Sequence, residues 1–298
     1  MHQENLSYLK DLVKYLGFGE HLGVQDELEK VIAKNPKAFN LFTEVYYEEA
    51  CKLEANLFFR KSDQLNTYFF NKYEAWLRYP DNPERDRGQT FYINKGSGVT
   101  FKEAYNLLQG RAVNKDLINL EGEKYNAWIQ LNFGERDAYN NYKTRQFRVQ
   151  YGYSLEKTLE NYPIQELEIP NLKEALLRSL KKGNMHPVSF AKTSKTEKMF
   201  IEACPQYKTI NIYPATSPLI PKTAFQKTMT PVRSTSIASI TSEGEKQQDE
   251  EMREEKEEVK EGERKPRRRR SPGRRADHNE ETDEENSGLL FGTRGAVH

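Results

Sequence analysis

Cysteine is scarce in this sequence, which has only Cys51 and Cys204 among 298 residues. Two thiols without a paired spacing exclude a disulfide framework and a zinc site of the Cys-x-x-Cys kind. Each follows Glu-Ala in a stretch of alternating apolar and polar residues, so each is predicted to be a small strand residue. The sequence also lacks a basic leader and an apolar run of membrane-spanning length. We therefore expect a cytoplasmic protein that has no membrane partner.

Catalytic signatures are also missing. Between residues 5 and 213 the histidines are His21 and His186, and neither has the spacing of a metal site or a catalytic base. The sequence contains no serine elbow, paired carboxylate motif, Walker loop or dinucleotide fingerprint. We predict that the protein is not an enzyme and uses neither a cofactor nor a metal. An enzyme is the alternative if Lys95, Arg111, Lys115 and an acid share one pocket.

Hydrophobic residues make up only 36% of the chain and become rare towards its C-terminus. After Tyr213 no periodic apolar run follows, residues 214–242 are rich in Pro, Ser and Thr, and residues 243–285 are mostly charged. Such segments bury too little apolar surface to offset the entropy of ordering. We predict that the folded part ends between Tyr213 and Pro221 and that a disordered tail occupies 214–298.

An internal repeat is the most informative feature that the sequence does have. The stretch KYEAWL at Lys72–Leu77 returns 52 residues later as KYNAWI at Lys124–Ile129. A polar turn, a second aromatic stretch and a capped helix follow each copy, which indicates a repeated strand–strand–helix unit. We predict that residues 72–108 and 124–161 form the same unit, with Trp76 and Trp128 at equivalent positions.

The wider pattern predicts an α+β fold with antiparallel sheets of about eight strands, built from the repeated β-β-α unit with flanking helices. The predicted division is a first α+β repeat unit with N-terminal helices at 1–118, a second at 119–213, and the Pro/Ser/Thr-rich and charged tail at 214–298. The expected strands are 51–60, 67–79, 89–94, 124–133, 143–150, 187–192, 197–203 and 207–213. The expected helices are 5–16, 25–33, 100–109, 154–162 and 171–182.

A glycine-containing turn before a helix is the first candidate site. Backbone amides at such a turn and at a helix N-terminus favour an anion, and nearby cations can balance its charge. A tight turn into a capped helix also explains these glycines and is the interpretation that we favour, with the anion site as the alternative. The candidate anion-binding residues are Lys95, Gly96, Gly98, Thr100, Arg111 and Lys115.

Aromatic residues suggest a second kind of site. Trp76, Trp128, Phe91 and Phe101 are of the type that forms base-stacking platforms in single-strand binders. Both faces of the two tryptophan strands are partly apolar, however, as in a sheet that helices cover on both sides. We therefore favour core packing for these rings and keep stacking as the alternative.

Charge is organised most strongly in the predicted tail. Residues 264–275 hold eight basic and no acidic side chains, between acidic runs at 243–263 and 277–285. An arginine-rich arm of this kind neutralises phosphates and binds nucleic acid in a salt-dependent way, whereas a purely solvating tail is the alternative. The predicted nucleic-acid-binding residues, called the Arg block below, are Arg264, Lys265, Arg267, Arg268, Arg269, Arg270, Arg274 and Arg275.

Four stretches of the chain resemble an uncharacterised domain family of conjugative transposons and plasmids from gut bacteria, often encoded beside a DNA topoisomerase. They are NKGxGVTxKEAYNLL from Asn94, GRxVNKDL from Gly110, KYNAW from Lys124 and MFIEAxPQxKTIN from Met199. The resemblance spans roughly residues 5–213 and implies a mobile-element setting without any assigned activity. This setting and the Arg block together predict a non-catalytic accessory protein of a mobile element that associates with DNA or RNA through its basic C-terminal arm. The alternative is an adaptor that docks a topoisomerase or conjugation protein without nucleic-acid contact.

Overall fold

The structure, a computed structural model, describes residues 2–19, 23–47, 51–94, 98–119, 121–191, 195–216 and 233–237. These residues form an α+β fold in which every described sheet is antiparallel, so the predicted fold class is confirmed. The helices are α1 (His2–Tyr15), α2 (Val24–Ala33), α3 (Phe101–Leu108), α4 (Leu155–Leu159) and α5 (Pro170–Lys181). The strands are β1 (Ala38–Tyr47), β2 (Cys51–Lys61), β3 (Tyr68–Arg78), β4 (Arg87–Tyr92), β5 (Val113–Ile118), β6 (Lys124–Arg136), β7 (Tyr142–Arg148), β8 (His186–Ala191), β9 (Thr196–Cys204), β10 (Thr209–Pro214) and β11 (Arg233–Ile237).

The first sheet has the strand order β11-β1-β2-β3-β4 and buries one face under helices. Alternate residues of β2, such as Leu53 and Leu57, are fully buried, as the period of two predicted. They share one apolar cluster with Leu9 of α1, Leu28 of α2 and Leu107 of α3. The three helices and this sheet therefore build the larger hydrophobic core.

The middle sheet, with the order β5-β6-β7, separates the larger core from a smaller one. Successive residues of a strand point to opposite faces. Ile129 and Leu131 of β6 belong to the larger core, while Trp128 belongs to the smaller core with Leu155 of α4 and Leu180 of α5. The third sheet, β10-β9-β8, also contributes to the smaller core. The boundary between the two folded units was predicted between residues 118 and 119. This position lies at the end of β5, and the following strand β6 pairs with β5 in the same sheet.

Eleven strands occur in the described part of the chain, three more than the sequence predicted. β1 was missed because the polar Thr43 interrupts its buried apolar positions, and Thr43 is itself buried. β5 was missed because three consecutive polar residues, Asn114 to Asp116, interrupt its sequence VNKDLI, in which only Val113 is fully buried. Pairing of β1 with β2 and of β5 with β6, rather than an apolar period, makes these segments strands.

β11 corrects the prediction that the whole of 214–298 is a disordered tail. Its five residues pair antiparallel with β1, with Ile237 opposite Ala38 and Arg233 opposite Phe42. The hydrogen bonds between paired strands join main-chain groups, which every residue except proline carries in full. A Ser/Thr-rich segment can therefore extend a sheet edge without an alternating apolar pattern in its sequence. β10 ends at Pro214, close to the predicted limit of the folded part. Residues 217–232 and 238–298, and with them the Arg block, lie outside the described residues.

The repeat is found as an order of elements but is not confirmed as a repeated unit. β3, β4 and α3 are followed by β6, β7 and α4, so both segments have the order strand, strand, helix. Their registers differ by three residues, because Phe91 lies opposite Tyr73 whereas Phe147 lies opposite Trp128. An odd shift exchanges the two faces of a strand. The predicted equivalence of Trp76 and Trp128 is therefore wrong: Trp76 is 39% exposed and Trp128 only 6%.

Candidate functional site

The predicted anion site begins with Thr100, which caps α3. Its hydroxyl accepts a hydrogen bond from the Glu103 amide, and Glu103 Oε2 accepts one from the Thr100 amide at 2.8 Å. This is the capping box that the sequence predicted. Glu103 Oε2 also lies 3.0 Å from the Lys115 ammonium, and both side chains are largely buried. The positive end of α3 thus already holds a carboxylate, and the charge of Lys115 is balanced inside the protein.

Arg111 lies at a different junction, between the end of α3 and the turn after α5. Its Nε donates to the Gly183 carbonyl at 3.0 Å, and its terminal nitrogen donates to Asn106 Oδ1 at 2.7 Å. Asn106 is fully buried and donates to the Lys182 carbonyl at 2.6 Å and to Asn184 Oδ1 at 2.9 Å. Arg111 therefore serves a buried hydrogen-bond network. Gly98 is partly buried ahead of α3, while Lys95 and Gly96 lie outside the described residues.

Core packing is found for three of the four aromatic residues considered for base stacking. Trp128, Phe91 and Phe101 are buried, whereas Trp76 lies partly exposed on the outer face of the first sheet. Its ring covers Gly88 on β4 so closely that a Cβ there would lie 2.5 Å from the indole. The Arg78 guanidinium lies 4.4 Å from the ring centroid. The stacking interpretation is thus confined to Trp76.

A cleft of about 250 Å³ opens where the middle sheet meets the ends of two helices. The register of β5 and β6 places Asn114 opposite Trp128 and Asp116 opposite Asn126, which puts all four residues on one face. The amides of Asn114 and Asn126 bond to each other in both directions, at 2.7 and 3.0 Å. Asn126 also donates to Asp116 Oδ1 at 2.8 Å. One wall of the cleft is therefore a fixed pair of amides beside a carboxylate.

The other wall combines the first turn of α4 with the last residue of α5. Ser154 caps α4 by accepting from the Lys157 amide, and Leu155 and Glu156 follow it. Lys181, an exposed residue, ends α5. The cleft thus brings amides, a hydroxyl, a carboxylate and an ammonium group around the edge of an indole. Its complete lining is Asn114, Asn126, Trp128, Ser154, Leu155, Glu156 and Lys181.

The cleft could not be predicted from the sequence, because its polar residues follow no common period. Asn114 and Asn126 share a face only through strand pairing, and Lys181 arrives from a helix 55 residues further along the chain than Asn126. The available signal was weak: Asn114 and Asn126 both lie in stretches that carry the family resemblance. The other end of the cleft, at Ser154 and Glu156, was noticed only as a helix cap.

His186 was considered only as an unlikely catalytic base, and the structure places it beside a serine. Its Nδ1 lies 2.9 Å from Ser179 Oγ. Burial lowers the pKa of His186, and the nearby Glu166 carboxylate opposes this shift. Glu166 itself accepts the Ser189 amide with both oxygens, at 2.9 and 3.0 Å. The imidazole is therefore neutral at neutral pH and forms part of a local hydrogen-bond network.

We expect His186 to make the protein less stable in acid. Because the folded-state pKa lies below the ordinary value of about 6.5, the unfolded state binds more protons in this window. The free energy of unfolding should therefore rise with pH from about pH 5 to about pH 7. Urea denaturation of the parent and of H186Q across this range measures the effect. A variant that retains the whole of the parent's slope would contradict it.

Metal and thiol chemistry find little support in the described residues. No group of three or more His, Cys, Asp or Glu side chains there has the arrangement of a metal site. Cys51 and Cys204 are buried and not joined by a disulfide, and burial raises the pKa of the Cys204 thiol, which makes it a poor nucleophile. Among the described helices, none has the length and apolar character needed to cross a bilayer. No protein-family model, curated protein or solved structure matches the chain.

Proposed function

We propose that this protein is a non-catalytic accessory protein of a mobile genetic element that associates with nucleic acid through the Arg block. The observation that carries the proposal is the density of charge in residues 264–275, with eight cations and no acid. Each cation that neutralises a phosphate releases condensed counterions, which is the main source of non-specific affinity for nucleic acid.

The folded part has little positive charge available for contacts with a phosphate backbone. Residues 1–240 contain 33 basic and 28 acidic side chains, so their charges nearly cancel. On the outer face of the first sheet, Lys52 pairs with Glu44 and Glu54, at 3.2 and 2.6 Å, and Arg78 pairs with Glu54 and Asp86, at 3.2 and 3.0 Å. Arg111 and Lys115 are bound to other groups of the protein, as described above. These contacts support assigning the phosphate contacts to the arm.

Titration of a labelled oligonucleotide with the full chain tests the proposal. Single- and double-stranded DNA and RNA of equal length are compared at several salt concentrations by fluorescence anisotropy. We expect binding that weakens steeply as salt increases and that depends little on sequence, because phosphate contacts carry no sequence information. No binding at low salt would refute the proposal.

Removal of the acidic run 249–258 is expected to strengthen this binding. Residues 249–258 contain seven acidic and two basic side chains and precede the Arg block by five residues. Their carboxylates compete with phosphates for the same guanidinium groups, so the deletion should raise affinity several-fold at low salt. Replacement by an uncharged linker of the same length controls for spacing. Unchanged affinity in both variants would show that the run does not compete.

An adaptor is the second candidate function, and exposed Trp76 favours it. Tryptophan and arginine are the residues that most often dominate protein interfaces, and here Arg78 lies over the ring of Trp76. If the protein docks a topoisomerase, W76A should abolish co-elution of the two purified proteins. Y207A, which removes another exposed ring from the turn between β9 and β10, should leave co-elution unchanged. Co-elution that survives W76A would remove the support for this candidate.

A further inference from the structure

Two short turns bring exposed tyrosines together where the third sheet meets the edge of the middle sheet. One is the 3-10 turn Pro205–Tyr207, which joins β9 to β10, and the other is Val149–Tyr151, which follows β7. Tyr207 is 73% exposed and Tyr151 is 38% exposed. The Tyr151 hydroxyl donates to the Gln206 carbonyl at 2.7 Å, which joins the two turns. This surface is called the tyrosine patch below, and its residues are Arg145, Tyr151, Gln206, Tyr207 and Lys208.

The two cations of the tyrosine patch have neutral neighbours. Lys208 Nζ lies 4.8 Å from the centroid of the Tyr151 ring. The Arg145 guanidinium donates to Asn132 Oδ1 at 2.7 Å and to Gln206 Oε1 at 3.4 Å. Both cations are exposed, and neither forms an ion pair with any residue that the structure describes. Their charges are therefore available to an anion, unlike those of the paired cations on the first sheet.

The backbone at Lys208 has a conformation that usually belongs to glycine. Its φ is +54° and its ψ is +38°, which is the left-handed region. A side chain is strained there, and strain of this kind is concentrated at binding sites and active sites. A glycine would form the same turn without strain, whereas lysine places an ammonium group over Tyr151 and next to Tyr207 in the chain. The strained lysine therefore points to a ligand for its ammonium group.

An exposed aromatic ring beside a cation is an arrangement that binds single-stranded nucleic acid. An unpaired base stacks on the ring whatever its sequence, and the neighbouring phosphate pairs with the cation. A duplex cannot use the ring in this way, because its bases are already stacked on one another. The tyrosine patch has two cations and the Arg block has eight, so the main effect of the patch is on the choice between single and double strands.

We propose that the tyrosine patch is a stacking site for single-stranded nucleic acid, in which one unpaired base lies on Tyr207 and its phosphate pairs with Lys208 and Arg145. Tyr207 is not among the four aromatic residues considered for stacking above. The inference rests on the proposed association with nucleic acid and adds a preference for single strands to it. The Arg block binds the backbone of any nucleic acid, and the patch selects the strand that has free bases.

Anisotropy titrations of the full chain with single-stranded and duplex DNA of equal length test the stacking ring. We expect Y207A to bind single-stranded DNA about 10-fold more weakly, which is the size of one base–aromatic stack. The slope of log affinity against log salt should not change, because stacking releases no counterions. The affinity of Y207A for the duplex should equal that of the parent. Y207F keeps the ring and should bind both DNAs as the parent does.

Lys208→Gly tests the cation without disturbing the turn, since glycine suits the left-handed backbone. We expect K208G to bind single-stranded DNA about fivefold more weakly at about 0.1 M salt, with a salt slope smaller by about 0.7, the contribution of one phosphate contact. The midpoint of urea denaturation should not fall, which shows that the loss of binding does not come from unfolding. Parent-like binding by both Y207A and K208G would overturn the inference.

Tyr15 supplies a matched control for the tyrosine variant. Its ring is 64% exposed at the end of α1, so Y15A should bind both DNAs as the parent does. An equal loss of affinity for single strands and duplex in Y207A would overturn the inference, because a stacking ring acts only on free bases. A loss of single-strand affinity in W76A but not in Y207A would also overturn it, since the stacking surface would then be the first sheet.

The two proposals fail in different ways. If the full chain binds DNA in a salt-dependent way but Y207A and K208G bind as the parent does, the patch is not a stacking site and the arm still binds nucleic acid. If Y207A loses affinity for single strands but substitutions in the Arg block leave binding unchanged, the patch is a binding site and the role of the arm is refuted.

Discussion

Gly183→Ala is expected to destabilise the folded part by about 3 kcal/mol, a large share of the roughly 5–15 kcal/mol that stabilises a folded protein. Gly183 has φ +77°, a left-handed conformation that costs about 1 kcal/mol for other residues. A Cβ there would also lie 2.8 Å from the Ala112 carbonyl oxygen and 2.9 Å from Val113 Cγ2. Overpacking of this kind adds about 1–3 kcal/mol. Urea denaturation of parent and variant measures the difference.

Gly122→Ala is the matched control for this prediction. Gly122 has a similar φ of +86°, but apart from Gly122 itself and its chain neighbours no atom of the described residues lies within 4 Å of its ideal Cβ position. Its substitution should therefore cost only the backbone contribution of about 1 kcal/mol. The excess loss in G183A reports the close approach of the turn after α5 to the start of β5. Equal losses in both variants would mean that the junction is looser than the structure shows.

The junction around Gly183 bears on two predictions from the sequence, the end of the helix at 171–182 and the role of Arg111. The predicted helix 171–182 matches α5, and Gly183 lies in the turn that follows it. Arg111 was expected to balance the charge of an anion, yet it donates to the Gly183 carbonyl and to Asn106. A cation near a glycine turn in the sequence therefore does not identify an anion site, because buried carbonyl groups need donors as much as phosphates do.

Simultaneous change of Arg267, Arg268, Arg269 and Arg270 to alanine is expected to weaken nucleic-acid binding about 100-fold at about 0.1 M salt. The eight cations of the Arg block are enough for about 4–6 phosphate contacts, and the substitution removes half of the charge. With each contact contributing about 0.7–0.9 to the salt exponent, the loss of two to three contacts costs about two powers of ten. Anisotropy titrations of both proteins measure it. A loss below about threefold would contradict the prediction.

The elements that could be predicted are those whose own side chains determine them. The buried face of β2 follows directly from its alternation, and the cap of α3 follows from Thr100 and Glu103. β5, β11 and the cleft could not be predicted, because each depends on the partner that pairs with it rather than on a local pattern. The tryptophans show the same limit, since three residues of register separate a buried ring from an exposed one.

β11 also determines how the arm should be tested. A fragment that ends at residue 213 would remove β11 from the edge of the first sheet together with the arm. Loss of binding by that fragment would not separate the two effects. Substitutions in the full chain keep β11 paired with β1, so a change in binding can be assigned to the Arg block.

The salt dependence of binding is the most direct test of the central claim that the Arg block makes the phosphate contacts. For the full chain on single-stranded DNA, the slope of log affinity against log salt should be about −3 to −5. The quadruple arginine variant should show about half of that slope. A control that removes the same charge from the folded part should keep the parent's slope, and it changes four exposed lysines to alanine: Lys34, Lys37, Lys124 and Lys157. The claim is contradicted if the arginine variant keeps the parent's slope and the lysine variant loses it.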